Sequence, residues 1–421
     1  MKPARCEFAG DSLRSYYFLL APHIDFSEND MKKAEPYRAD PDLEELLPLV
    51  ISGRLFAVQA WIQSGRTIPN SNDKRKRCAL SRAVEAGFHS MVDILLQSKV
   101  WTQKQRDEAL SLAISDSRLD LAELLQAHGA ASSSVDFELV CRTVKPEVME
   151  RFLRAGGDPS KENGFARALS EMQARPLLRF YRSLKDEFPS LHLQASLALG
   201  HAVREKKIRW IALLAWAGAD PFMNVPDDLY SSWEFGEYGG RIPAHDACWS
   251  RNSEVVKALQ LKPTHAQALE LLEHAAYFPS VDVMKEILRK LPTGGLNIGD
   301  PPKSLAVERL VESLSISDYG YGAEDRGKEA AGCLELLLDL GARWRPEKTQ
   351  IDSIRRSLLK QPPRFIVRII RLLLHIPGAA DHQLLFELCR TSVIRSKIAE
   401  SDKHLLKDLD AIQKKAPVQR P

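Results

Sequence analysis

The stretch IPAHDACWSRNSEVVKAL, residues 242–259, decides the fold. A proline opens it, the small residues Ala247 and Cys248 follow one turn later, and a polar break SRNSE comes next. After the break, Val255, Val256 and Leu259 form a second apolar stripe. Proline is tolerated in the first turn of a helix, and apolar residues three or four apart lie on one helix face. The stretch therefore predicts two short amphipathic helices joined by a tight turn.

The same pattern recurs in residues 78–96 (CALSRAVEAGFHSMVDILL), 108–130 (EALSLAISDSRLDLAELLQAHGA) and 197–221 (LALGHAVREKKIRWIALLAWAGADP). Small residues in the first helix, Ala83, Ala113 and Ala202, let it approach its neighbour closely, and leucines of the second helix fill the space between units. The chain is therefore predicted to be a stack of helical hairpins.

The spacing of the units supports a repeat. The first apolar residue of each unit recurs about every 32 residues, at Leu46, Leu80, Leu110, Phe137, Phe165, Leu199, Ala244, Leu272 and Leu305. A fixed period of this length is typical of stacked supersecondary units.

The ends of the units agree with each other as well. They read AHGA (127–130), AGGDP (155–159), WAGADP (216–221) and DLGAR (339–343). Each places a glycine where the second helix must stop in a left-handed conformation, and Asp-Pro begins two of the loops that follow.

These features resemble the ankyrin-repeat family, whose unit of roughly 33 residues carries a T-P-L-H-x-A-A motif, then G-H and a V-V-x-L-L stripe. The best match consists of Ile242, Pro243, Ala244, His245, Ala247, Cys248, Val255 and Val256. Serine replaces the motif histidine at Ser81 and Ser111, and the turn glycine is replaced by Lys206 and Arg251.

The resemblance implies an all-α solenoid of stacked helix-turn-helix repeats that binds other macromolecules. It covers residues 42–342 well and residues 343–380 loosely. It also implies that His245 hydrogen-bonds backbone between units and that Cys248 fills a small packing position. A tetratricopeptide or armadillo-like array is the structural alternative, which the short first helices and the G-A-D-P endings disfavour.

Three regions follow from this interpretation. Residues 1–41 form an N-terminal arm and cap, residues 42–342 a degenerate repeat array, and residues 343–421 basic helical repeats and a C-terminal cap. Loops are inserted at residues 222–241 and 315–328. Insertions into a repeat array lie on one face, often the binding face.

The first insertion, FMNVPDDLYSSWEFGEYGG, carries aromatic residues between acids, and the second is Gly-rich. Tyr and Trp dominate interface energetics, so the insertions are a candidate partner-binding site. The candidate residues are Tyr230, Trp233, Phe235, Tyr238, Tyr319 and Tyr321. Alternatively, the first insertion packs back onto the adjacent repeats, and the second is simply mobile.

The C-terminal region is the most basic part of the chain. Residues 343–421 contain 17 Lys and Arg against 8 Asp and Glu, whereas the whole chain has a formal charge of +3. The candidate basic patch on two helices is Arg355, Arg356, Arg364, Arg368 and Arg371, and residues 74–77 (KRKR) add a second basic run. Such a region could bind phosphate backbone or an acidic protein surface, although solvated helix faces are commoner.

No G-x-G-x-x-G, Walker, HExxH or G-x-S-x-G motif is present, so we expect no enzyme, no cofactor and no metal. The His245, Asp246 and Cys248 grouping is better interpreted as packing than as a metal or Cys-His site. Trp61, Trp210 and Trp216 fall in or beside second-helix stripes and are predicted in the core.

The six cysteines are dispersed and no apolar run is long enough to span a bilayer, so we expect a cytoplasmic protein with buried free thiols and no membrane partner. The predicted function is a non-enzymatic scaffold or accessory subunit that binds a protein through its concave repeat face and the aromatic insertion. The alternative is a nucleic-acid-associated or effector-complex component that uses the basic C-terminal region.

Overall fold

A computed structural model describes residues 40–73, 77–225, 241–291, 323–340, 363–374 and 392–415, together with residues 306, 307, 310, 355, 356 and 359. The fold is all-α. Among the described residues, β-type pairing is limited to one isolated antiparallel bridge between Val225 and Arg241.

Up to residue 291 the helices alternate between a first and a second helix of a hairpin. The first helices are α1 (Pro41–Ile51), α3 (Ala79–Ala86), α5 (Gln103–Ser115), α7 (Phe137–Arg142), α9 (Gly164–Met172), α11 (Pro189–Arg204), α13 (Pro243–Trp249) and α15 (His265–Tyr277). The second helices are α2 (Leu55–Gln63), α4 (His89–Gln97), α6 (Leu119–Ala127), α8 (Pro146–Arg154), α10 (Arg175–Leu184), α12 (Ile208–Ala217), α14 (Ser253–Ala258) and α16 (Val281–Arg289).

Beyond residue 291, four helices have both of their ends within the described residues. They are α17 (Ala323–Asp339), α18 (Pro363–Leu374), α19 (Ser392–Ser401) and α20 (Lys403–Lys415). Helices α18, α19 and α20 therefore lie within residues 343–421, the region that was predicted to form helical repeats and a C-terminal cap.

Helices pack in two layers. Each first helix contacts the next first helix, without interruption from α1 to α15. Second helices contact one another from α2 to α6 and from α8 to α16, and this row continues through α17, α18, α19 and α20. Each hairpin therefore buries its apolar surface against its neighbours in sequence.

The core follows the spacing of the sequence. Eight of the nine anchors are at most 1% exposed, one on each first helix: Leu46, Leu80, Leu110, Phe137, Phe165, Leu199, Ala244 and Leu272. The ninth, Leu305, lies outside the described residues. Ala83, Ala113 and Ala202 are also buried between first helices.

An aromatic cluster occupies the middle of the core. The ring of Phe165 on α9 meets Phe137 of α7 edge-on at 6.2 Å and Phe180 of α10 at 5.6 Å, measured between centroids. All three side chains are at most 1% exposed. One cluster therefore ties two neighbouring hairpins together.

Two cysteine predictions are confirmed for the residues that the structure describes. Cys78, Cys141, Cys248 and Cys333 are all buried and form no disulfide. Burial raises the pKa of the Cys333 thiol to about 12, so this thiol is not ionised at neutral pH.

The turns inside the first seven hairpins share a left-handed residue. It is a glycine in the first two hairpins, at Gly53 and Gly87, and a residue with a side chain in the next five. Those five are Ser117, Val144, Gln173, Lys206 and Arg251, with φ between 48° and 57°. The sequence interpretation of Lys206 and Arg251 as replacements of a turn glycine thus agrees with their backbone conformation. The second-helix stops at Gly129, Gly156 and Gly218 are left-handed as predicted.

Val144→Gly is expected to raise the free energy of unfolding by about 1 kcal/mol, because a β-branched residue is strained at φ 57° and glycine is not. The gain is reduced by the greater chain entropy of glycine in the unfolded state. Urea denaturation measures it. Val144→Ala keeps Cβ and serves as the control, for which we expect less than half of the gain. If the glycine variant were no more stable than the wild type, the left-handed conformation of Val144 would not be strained.

Two sequence predictions need correction. The Gly-rich loop was expected to reach residue 328, but α17 begins at Ala323, so residues 323–328 are helical. The segment AEDRGKEA is rich in helix formers, and its acidic residues near the N-terminus favour the helix dipole, which outweighs one glycine.

The second correction concerns Trp216, which is 53% exposed and not in the core, unlike Trp61 and Trp210. It lies on the outer side of α12, where the guanidinium of Arg182 on α10 stacks 4.4 Å from its ring centroid. A cation over an indole stabilises the ring in an exposed position. The amphipathic spacing of α12 does not reveal this contact, so the prediction that Trp216 is in the core was wrong.

Candidate functional site

The aromatic insertion enters and leaves the array at one point. The Val225 amide donates to the Arg241 carbonyl at 2.8 Å, and the Arg241 amide donates to the Val225 carbonyl at 2.7 Å. Val225 is buried, and the partly buried Phe222 and Met223 pack on the core. The outer residues of the predicted insertion thus belong to the array, and α13 starts two residues after the bridge.

An imidazole pair lies next to this point. His245 on α13 and His274 on α15 stack with their ring centroids 3.7 Å apart and their planes 21° from parallel. The His245 side chain is 13% exposed, and its Nε2 lies 3.8 Å from Glu270 Oε2. Burial, and secondarily the charge of His274, lower the pKa of His245 to about 4. His245 is therefore neutral at physiological pH.

We expect the free energy of unfolding to fall by about 2 kcal/mol between about pH 7.5 and about pH 5 because of His245 alone. Its folded-state pKa of about 4 lies below the ordinary 6.5, so the unfolded chain binds more protons throughout this window. The stability is present above pH 6.5 and is lost as the pH falls towards 4. Chemical denaturation over a pH series measures the loss.

His245→Phe keeps a stacking ring and removes the titration. For this variant we expect the fall between about pH 7.5 and about pH 5 to be smaller by about 2 kcal/mol. An identical pH dependence in both proteins would mean that His245 is not held neutral in the folded state.

Trp249 extends the imidazole pair. Its ring centroid lies 5.4 Å from that of His274 and 6.3 Å from that of Phe278, and the Arg241 guanidinium is 5.9 Å away. The indole Nε1 is buried without a hydrogen-bond partner, as is Nε2 of His245. Buried polar atoms without a hydrogen-bond partner are uncommon in native structures.

Helix α13, which carries His245, also carries a buried acid that lies beneath two arginines. The Asp246 carboxylate, with a side chain 6% exposed, is 3.4 Å from Arg204 of α11 and 3.7 Å from Arg241. A buried carboxylate needs charged or hydrogen-bonding partners, which both guanidinium groups supply. Taken by themselves, the two guanidinium groups and the carboxylate carry a formal charge of +1.

The same arrangement recurs two hairpins earlier. The Glu138 side chain on α7 is 5% exposed and accepts from Arg142 at 2.7 Å and from Arg167 of α9 at 3.0 Å. The two arginine side chains are 48% and 31% exposed. Here too, one buried acid lies beneath two arginines, and the three side chains taken by themselves carry a formal charge of +1.

A groove of about 600 Å³ opens between α5 and α7. Leu112 and Leu139 supply its apolar part and Ser111 and Ser115 its polar part, and the remaining lining residues are Arg77, Lys104, Asp107, Glu108 and Ser134. Leu139 lies one helical turn before Arg142 on α7, so the groove continues into the Glu138 cluster.

We name the solvent-facing side of α5, α7, α9 and α11 the first-helix surface. It carries the groove and then an arginine from each of three successive first helices: Arg142, Arg167 and Arg204. It therefore combines an apolar depression with three arginine side chains.

The predicted motif residues are placed by the structure as follows. Pro243 is the first residue of α13, and Ala244, Ala247 and Cys248 are buried. The Cys248 thiol points at the carbonyls of Ala244 and of Leu271 on α15, at 3.3 and 3.6 Å, so it packs between hairpins. For His245, the contact with the next hairpin is ring stacking, and its Nε2 makes no hydrogen bond.

The predicted insertion residues Tyr230, Trp233, Phe235, Tyr238, Tyr319 and Tyr321 lie outside the described residues. Of the basic patch, Arg356, Arg364 and Arg371 are exposed and Arg355 is half-buried, whereas the Arg368 side chain is outside the described part. Arg371 pairs with Asp402, which offsets part of the charge of α18.

Sequence reasoning missed the two buried-acid clusters. The available signal was Glu138 inside the otherwise apolar run FELVC on a short first helix. A charged residue in a buried stripe requires a partner, but the sequence could not show that Arg142 and Arg167 both supply it.

Among the side chains that the structure describes, no group of three or more His, Cys, Asp or Glu residues is arranged to hold a metal ion. In the same parts of the chain, no helix combines the length and apolar character needed to cross a bilayer. The sequence matches no family model and no curated protein at a significant level. Its function is therefore inferred from the geometry of its surfaces.

Proposed function

We propose that the chain is a degenerate ankyrin-like repeat solenoid that works as a non-enzymatic scaffold or accessory subunit. Two layers of hairpins, the hairpin period of about 32 residues and left-handed turns at equivalent positions support the repeat architecture. In arrays of this kind, the extended concave surface binds other macromolecules.

The binding face in this proposal is the first-helix surface, which we take to be the concave one. The observation that carries it is the groove between α5 and α7, which runs into an arginine-bearing strip over α7, α9 and α11. The aromatic insertion starts beside the Asp246 cluster, because Arg241 belongs both to that cluster and to the bridge. Trp233 and Phe235 of the insertion are proposed to add to the same contact.

Site-specific photo-crosslinking tests this proposal. A photoreactive amino acid replaces Leu139 on α7 in one protein and Ser183, which is exposed on α10, in the matched control. We expect protein adducts in host extract from position 139 at several times the yield from position 183. Equal yields from both positions would contradict a first-helix binding face.

The insertion is tested in the same assay. Trp233→Ala combined with Phe235→Ala is expected to reduce the adduct yield from position 139, since truncated interface aromatics commonly weaken binding. An unchanged yield would remove the insertion from the proposal and leave the first-helix surface in it.

A further inference from the structure

We propose that the first-helix surface binds an extended acidic segment of a protein partner. In this arrangement Arg142, Arg167 and Arg204 hold carboxylates, and an apolar side chain enters the groove between Leu112 and Leu139. The inference rests on the proposed function and specifies the chemistry of the partner.

The first argument is the layering of charge. Glu138 and Asp246 are buried beneath their arginines, at 5% and 6% side-chain exposure, while the side chains of Arg142, Arg167 and Arg204 are 48%, 31% and 23% exposed. At these two clusters an incoming ligand therefore meets the arginines before the buried carboxylates of Glu138 and Asp246. Such a surface attracts carboxylates and repels cationic ligands.

The second argument is preorganisation. Each arginine already has a fixed partner in a buried carboxylate, so its side chain loses less conformational freedom when a ligand binds. A guanidinium presents five N–H donors in a rigid fork. The contact with the buried acid uses the Nη2 group of Arg142 and of Arg167 and the Nη1 group of Arg204. Carboxylates match the fork geometry of a guanidinium.

The third argument is spacing. Arg142, Arg167 and Arg204 lie on α7, α9 and α11, which pack side by side. Neighbouring helix axes are about 8–10 Å apart, and an extended peptide advances about 3.3 Å per residue. An extended segment crossing these helices therefore places every third residue opposite an arginine. Acidic residues at positions i, i+3 and i+6 fit the surface.

The groove adds one more position. It lies between α5 and α7, one helix spacing before Arg142, and its volume of about 600 Å³ accommodates a side chain the size of leucine or phenylalanine. The partner segment therefore carries an apolar residue about three positions from its nearest acid.

A peptide fits this surface better than a single-stranded nucleic acid. Phe137 and Phe165, the phenylalanines of α7 and α9, are buried in the core and cannot stack on bases. Proteins that bind single strands combine a basic groove with exposed aromatic platforms. The arginines of this surface attract carboxylates, but the phenylalanines of α7 and α9 offer no exposed ring on which a base could stack.

Fluorescence anisotropy with defined probes tests the inference on the full chain. The main probe is a fluorescein-labelled peptide of about ten residues with one leucine followed by three glutamates at every third position, separated by Gly and Ser. Its reversed sequence covers the other chain direction. A peptide of the same composition with contiguous glutamates tests the register, and a short single-stranded oligonucleotide tests the other polymer.

We expect one of the two spaced peptides to bind, and to bind at least fivefold more tightly than the contiguous peptide or the oligonucleotide. Combining Glu138→Gln, Arg142→Gln and Arg167→Gln is expected to weaken this binding at least tenfold. The matched control combines Glu150→Gln, Arg151→Gln and Arg154→Gln on α8, removes the same charges from a second helix, and is expected to bind normally. Circular dichroism verifies that both variants are helical.

A second pair of variants does not depend on removing buried groups. Ser115 is exposed at the edge of the groove, so Ser115→Glu and Ser115→Arg are expected to fold normally. The glutamate should weaken the spaced peptide at least threefold and the arginine should not. The inference would be overturned if the two Ser115 variants weakened peptide binding equally, or if the α8 triple variant lost as much affinity as the Glu138 triple variant. It would also be overturned if neither spaced peptide bound, or if the oligonucleotide bound more tightly than the spaced peptides. If crosslinking from position 139 succeeds while the peptides fail, the proposed function stands and this inference falls.

Discussion

Replacing Phe165 by alanine is expected to lower the free energy of unfolding by about 3–5 kcal/mol. Phe165 is fully buried and its ring contacts Phe137 and Phe180, so truncation leaves a cavity where two hairpins meet. The contacts of each helix are mainly with its neighbours in the stack, so the damage should be local. Amide hydrogen exchange should show the largest loss of protection in α7, α9 and α10.

Phe56→Ala is the matched control, because the Phe56 side chain is 83% exposed. We expect this variant to unfold within about 0.5 kcal/mol of the wild type. If both variants lost the same stability, or if exchange rose uniformly over the chain after Phe165→Ala, the layered nearest-neighbour packing would be the wrong description.

The second large effect is expected from the Glu138 cluster. Combining Arg142→Gln with Arg167→Gln should reduce the free energy of unfolding by about 3–5 kcal/mol, because it leaves the 5%-exposed carboxylate without its two cations. Adding Glu138→Gln should recover most of this loss, since the buried charge is then gone. Urea denaturation of the three proteins provides the comparison.

Arg151→Gln combined with Arg154→Gln is the control on α8, where the arginines pair with the partly exposed Glu123, Glu150 and Glu187. Exposed ion pairs contribute little, so we expect a loss below about 1 kcal/mol. A triple variant of the Glu138 cluster no more stable than the double variant would show that the arginines act by packing and not by charge.

The sequence predicted the helical hairpins because each one encodes its own boundaries and its own buried stripe. Pro243 begins α13, and the left-handed Gly218 ends α12. Such start and stop signals depend only on neighbouring residues, so they can be recognised without knowledge of the fold. Thr102 and Thr264 likewise begin α5 and α15 with complete capping boxes.

The candidate site was less predictable because its groups come from different hairpins. Glu138 and Arg167 are on neighbouring first helices, and Arg204 reaches Asp246 across 42 residues of sequence. Their pairing depends on how the helices stack, which a period of about 32 residues does not specify. Trp216 was wrongly predicted in the core for a related reason. An apolar stripe on a helix does not show which residues at its edges remain exposed to solvent.

The bridge between Val225 and Arg241 makes the array modular at one position. Because the two residues exchange both of their backbone hydrogen bonds, the segment between them begins and ends at the same point of the helical stack. The entropy of closing a loop grows only slowly with its length, so a longer or shorter segment there changes the stability little. A binder engineer could replace this segment, or evolution could vary it, while α12 and α13 keep their places. The chain in this sense combines one exchangeable segment with a fixed charged surface beside it.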